Sequence, residues 1–164
     1  MTIPFELIRV MVQIEGEITR MARSIIQDQK LSDNELRSQF RQAIHAAQQA
    51  GDRESLKAFL AYQTSRDNKK KIWAHQASNQ LFIKRVWRGL ESLISKYEQE
   101  AGSRTSKAWA EANDAIKEKL RLMLAERFFA YLERAYEIWK DAEAKRYYFD
   151  DDEQNRGGGV EGAS

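Results

Sequence analysis

The 164-residue sequence predicts an all-α protein, a single bundle of about five helices that closes on a long C-terminal helix. Three observations carry that expectation. Helix breakers are sparse: Pro4 is the one proline, and only Gly16, Gly51, Gly89 and Gly102 precede residue 150. The turns of a sheet protein would need more of both. Apolar residues recur every three or four positions, which places them on one face of a helix. Hydrophobic content of 42% beside 32% charged residues suits helices that bury one face and solvate the other.

The first helix is expected from about Pro4 to Gln29, with proline in a first turn where its missing N–H costs nothing. Ile3, Leu7, Val10, Met11, Ile14, Ile18, Met21 and Ile25 form its apolar face, and Gly16 within it suggests a close packing contact. Ser32-Asp33-Asn34-Glu35 reads as a capping box opening a second helix over about 33–50, with Leu36, Phe40, Ile44 and Ala47 on one face. Gly51 ends that helix and Asp52 caps a third, about 53–64. The polar run at 64–68 (TSRDN) either turns or is read through, and a fourth helix runs on to about Glu100. Gly102 with Ser103, Thr105 and Ser106 reads as a stop and a new set of caps. The last helix, about 106–147, carries Trp109, Ile116, Leu120, Met123, Phe128, Tyr131, Ala135 and Trp139 at nearly coiled-coil period. The bundle is thus assigned to 1–148, and the acidic, then Gly-rich segment 149–164 is expected to be a disordered tail.

Charge is distributed unevenly. From Arg53 to Lys96 there are ten Lys/Arg against three Asp/Glu, a net +7, whereas 1–52 carries −1 and 97–164 carries −4. No acid lies between Lys69 and Leu90. A localised basic segment points to a polyanionic partner, nucleic acid above all. If 66–97 is one helix, Arg66, Lys70, Lys71, Lys84, Arg85, Arg88 and Lys96 share an arc opposite Ile72, Ile83, Val86, Trp87, Leu90, Leu93, Ile94 and Tyr97. Such a stripe, about 30 Å long, would track several phosphates without reading bases in order. Trp73, at its edge, would be placed to stack on a base. The plainer reading is an ordinary solvated helix face.

Site chemistry is otherwise sparse. Without cysteine there is no disulfide, thiolate zinc site or cysteine nucleophile. His45 and His75 have no ligand partner at helical spacing, so no metal or cofactor is expected; His45 reads as partly buried and His75 as solvated. Glu15, Glu17, Glu133 and Glu137 read as surface charges, the last two salt-bridged among Arg127, Arg134 and Lys140. With no phosphate-binding Gly loop, an enzyme is disfavoured. No apolar run reaches the roughly 20 residues of a membrane span, and the N-terminus does not read as a signal peptide, so a cytoplasmic location is expected. Phe129, Tyr136, Tyr147 and Tyr148 lie off the apolar stripe of the last helix, which suggests a second buried surface such as a contact between proteins.

A small cysteine-free helical chain with a basic helical face and the aromatic-rich segment FFAYLERAYEIWKDAEAKRYY resembles the small subunit of a multisubunit CRISPR effector complex. The resemblance is one of type and size over about 1–148, since that family has no diagnostic motif. It implies a non-catalytic bundle present in several copies, packed beside other subunits along guide-paired target and displaced strand. Its contacts with the DNA or guide-RNA backbone would fall here on Arg66, Lys70, Lys71, Lys84, Arg85 and Arg88. The alternative is a helical scaffold or protein-interaction module with no nucleic-acid role.

Overall fold

The computed structural model describes residues 2–31, 37–77 and 79–150. The chain is mostly helical. The first expected helix is two, α1 (Phe5–Gln13) and α2 (Glu15–Gln29), hinged at Ile14, whose ψ of 10 leaves the helical range. Gly16 sits just past that hinge, and a Cβ there would meet only the flexible Arg20 guanidinium at 3.4 Å. The close approach is at Gly89 instead, where a Cβ would lie 3.0 Å from Ile25 and 3.3 Å from both Met21 and Phe128. Helix α2 ends on Lys30 in the left-handed conformation. The capping box at 32–35 lies outside the described residues.

Helix α3 (Arg37–Gln49) buries Phe40, Ala43 and Ala47. Helix α4 (Arg53–Arg66) starts as the sequence indicates: the Asp52 carboxylate accepts from the Ser55 amide at 2.7 Å. A two-rung antiparallel hairpin follows, β1 (Gln76–Ala77) against β2 (Gln80–Leu81). Then come α5 (Phe82–Arg104), α6 (Ser106–Glu111), α7 (Asp114–Lys140), α8 (Ala142–Lys145) and a π-helical turn (Arg146–Asp150). Gly102 is no stop, since α5 runs through it and ends where Thr105 leaves helical geometry (φ -135, ψ 48) and its hydroxyl donates to the Ala101 carbonyl at 2.7 Å. Helical structure reaches Asp150 and buries Phe149 against Trp139, ring centroids 5.0 Å apart. Residues 151–164 lie outside the described residues.

Helix α7 is the centre of the molecule, packed on α2 and on α3. Its neighbours Phe128 and Phe129 are both fully buried, as is Tyr136. The off-stripe aromatics Phe129 and Tyr136 therefore fill this chain's own core, and only Tyr147 among those four is strongly exposed. One aromatic cluster ties the layers together. Phe40 lies 6.0 Å from Trp73, 6.2 Å from Phe82 and 5.6 Å from Tyr136, and Trp73 stacks on Phe82 at 5.6 Å. Aromatic pairs at these distances add about 1 kcal/mol each beyond their buried area. Tyr97 anchors α5 to α1 by donating its hydroxyl to the Leu7 carbonyl at 2.7 Å, and burial, then the Glu98 charge, raises its pKa.

Candidate nucleic-acid interface

The basic segment is not one helix. Helix α4 stops at Arg66, and residues 67–75 form a loop organised by a single carboxylate. Asp67 Oδ1 accepts from the Lys71 amide at 3.0 Å, and Oδ2 from the Ile72 and Ala74 amides at 2.9 and 3.0 Å. Partial burial pushes the Asp67 carboxyl up, but those three donors and the nearby His75 outweigh it and hold the pKa below 3.8. Lys70 takes a left-handed φ of 52, which reverses the chain. Ile72 and Trp73 then drop into the core, Trp73 with its Nε1–H directed at Gln39 Oε1 (3.3 Å). At 1% exposure Trp73 cannot stack on a base. The loop is tied to α5 by the Phe82 and Ile83 amides, which donate to the His75 and Trp73 carbonyls.

This break redistributes the six residues expected to meet a nucleic-acid backbone. Arg66, at the end of α4, lies 5.5 Å over the Tyr62 ring. Lys70 and Lys71 are exposed on the loop, and Lys84 and Arg88 are exposed on the first turns of α5. Arg85 is the exception. It turns toward α2, where its guanidinium donates to Asp28 at 3.3 Å and to the Ser24 hydroxyl at 3.4 Å. Three-quarters buried as a side chain, it belongs to the α2–α5 seam and not to an open basic face.

Two clefts flank the second half of α4 and between them border the remaining cations except Lys70. Toward α3 and the loop, a cleft of about 580 Å³ is bordered by Arg66, Lys69, Lys71 and the α3 amides Gln39 and Gln42. Toward α5, a groove of about 490 Å³ runs between Lys57 on one side and Lys84 and Arg88 on the other, with Trp87 as its wall. Lys57, Lys69 and Trp87 join the site only in the folded chain. Sequence does carry a signal for Lys57, because Lys57, Ala61 and Thr64 share one face of α4. Among the described residues, no ion pair engages Lys69, Lys70, Lys84 or Arg88.

The other candidates have structural employment. Glu15 meets Arg127 at 3.3 Å and accepts from the Tyr131 hydroxyl. Glu133 reaches across to Arg41 and Arg37 of α3, at 3.2 and 3.5 Å, while Arg134 lies over the Tyr131 ring. His45 is exposed, and His75 is the partly buried one, its Nε2 3.0 Å from the Gln29 carbonyl oxygen. This reverses the two histidines' expected settings, because His75 belongs to the loop that folds inward. No group of three or more His, Asp or Glu among the described residues is arranged to hold a metal ion. No described helix is long and apolar enough to cross a membrane.

Comparison with known proteins finds no match. Neither a family model, a curated protein nor a solved structure is similar to this chain. The functional reading therefore rests on the surface itself.

Proposed function

We propose that this chain is a non-catalytic, sequence-independent nucleic-acid-binding protein. We place it as a cytoplasmic small subunit of a CRISPR effector ribonucleoprotein that steadies target or displaced strands by their backbones. In that reading α2, α3, α4, α5 and α7 act as the five principal helices of a bundle. The observation that carries it is the set of four exposed cations, Lys69, Lys70, Lys84 and Arg88, around the second half of α4 with no carboxylate among the described residues paired to any of them. Lys57, Arg66 and Lys71 lie beside them and add positive charge. Paired surface charges contribute little to a partner; unpaired ones release counterions when they meet phosphate. Lysines act as point charges, so such a surface holds a backbone without selecting its bases.

The test is fluorescence anisotropy of labelled DNA and RNA with the full chain, beside a variant carrying Lys69→Glu, Lys70→Glu, Lys84→Glu and Arg88→Glu. Binding that weakens with salt and is lost in the folded variant supports the reading. Unchanged binding in the variant overturns this surface as its seat.

A second reading, a helical scaffold that associates with itself or other subunits, is favoured by α1. Phe5 and Val12, two turns apart on one face, are 72% and 48% exposed. Phe5→Glu with Val12→Glu should shift a self-associated species to monomer in sedimentation. A chain that is monomeric at all concentrations would remove this support.

A further inference from the structure

Resting on the nucleic-acid reading, the geometry points to single-stranded nucleic acid as the ligand, with one unpaired base lodged in the groove between α4 and α5 against Trp87. A surface that met only phosphates would need cations and nothing else. This groove has more. Its floor is apolar, made by Leu60 and Ala61 from α4 and Ile83 from α5. Its wall is the half-buried indole of Trp87, locked in orientation because Nε1–H donates to Glu91 Oε1 at 2.8 Å one helical turn on. The Lys57 ammonium lies over the ring face, 5.6 Å from the centroid. That ammonium is the end of an exposed, flexible side chain and can move onto an incoming phosphate while a base takes its place on the ring. Lys84 and Arg88, on the same stretch of α5, stand where the neighbouring phosphates would run.

Apolar floor, aromatic wall and cationic rim together are what an unpaired nucleotide requires, and a duplex, whose bases are stacked inside, cannot use the first two. Two neighbouring concave surfaces lack one of the three. Beside α3 and the loop the tryptophan is buried, and in the groove between α3 and α4 Arg41 is already paired with Glu133.

The test compares three labelled ligands on the full chain at fixed salt: a single-stranded DNA oligonucleotide, the same length of abasic deoxyribose-phosphate chain, and the duplex. The abasic chain and the duplex should each bind about tenfold more weakly than the natural strand, the size of one base–aromatic stack. Trp87→Leu, which keeps the apolar floor closed, should weaken the natural strand by a similar factor and leave the abasic chain unchanged. Equal binding of natural and abasic strands by the unaltered protein overturns the inference while leaving the electrostatic reading standing. Absence of binding to all three, even at low salt, overturns both.

Discussion

Lys and Arg gather in two places in this molecule, and the two differ in their surroundings. Where the start of α4 meets α5 and α7, the guanidiniums are matched. Arg121 donates to Glu98 at 2.5 Å and to Glu118 at 3.0 Å, and Glu118 in turn accepts from both the backbone amide and the guanidinium of Arg53. Burial alone would raise the Glu118 carboxyl, but the Arg53 amide and the two guanidiniums lower it below its ordinary value. Around the far end of α4, Lys69, Lys70, Lys84 and Arg88 stand on a loop and a helix start with no ion pair among the described residues. In the proposed function, what separates a structural cation from a binding one is whether a carboxylate has been placed opposite. Arg85 makes the point within a single turn, since it is paired with Asp28 while its neighbour Lys84 has no ion pair among the described residues.

The largest effect that sharpens this comparison comes from the anchor that presents the unmatched cations. Trp73→Ala removes a fully buried ring from the Phe40–Phe82–Tyr136 cluster and should cost about 3–5 kcal/mol in denaturant unfolding. A neutral outcome would mean that the loop is not held by its inward side chains. On the matched side, Arg121→Leu leaves Glu98 and Glu118 without their shared donor and should cost about 2 kcal/mol, with affinity for polyanions unaltered. Loss of binding there would break the division between the two regions.

Asp67→Asn should cost about 1–2 kcal/mol, because an amide oxygen is a weaker acceptor for three backbone donors and its NH₂ has nothing to meet. The native carboxylate carries a pH signature as well. Its folded pKa lies below the unfolded 3.8, so its contribution is complete well above pH 3.8 and is lost as pH falls through the folded value. The stability difference between the native chain and the variant should therefore shrink on acidification and not on raising pH, measured by thermal melts across that range.

Much of the fold can be read from residue order alone, for identifiable reasons. The Asp52 cap and the Gly51 stop are local chemistry between residues three or four apart, and the apolar faces of α2 and α3 follow a simple period. The stretch formed by the loop at 67–75 and the hairpin after it could not be read that way. No proline lies in it and no glycine marks its reversal; Lys70 and Asn79 take positive φ instead. Ile72 also falls on the same helical arc as Ile83, Val86 and Leu90. What makes it a loop is Asp67 gathering three amides up to seven residues ahead, which depends on the chain already being folded back. The basic site was legible as composition but not as membership. The partner that removes Arg85 from it is Asp28, far earlier in the chain, and Lys57 joins only because α4 packs beside α5.

The smallest expected effects distinguish adjacent residues. Arg85→Ala should lower stability by about 0.5–1 kcal/mol, as a partly exposed pair does, with little change in binding. Lys84→Ala should leave stability within about 0.5 kcal/mol and weaken binding modestly. Thermal melts beside anisotropy titrations check both, and the reverse pattern would place Arg85 on the binding face.

The most direct test of the central claim is the slope of log affinity against log salt concentration for a single-stranded oligonucleotide. The unaltered chain would be compared with Lys84→Ala/Arg88→Ala and with Arg53→Ala/Arg85→Ala, under conditions where circular dichroism shows all three folded. Each phosphate that is no longer neutralised should flatten the slope by about 0.7, so the first pair should flatten it by about 1.4 and the second pair not at all. Equal flattening by the two pairs, or none by either, would contradict the claim that the cations left without carboxylate partners are those that bind.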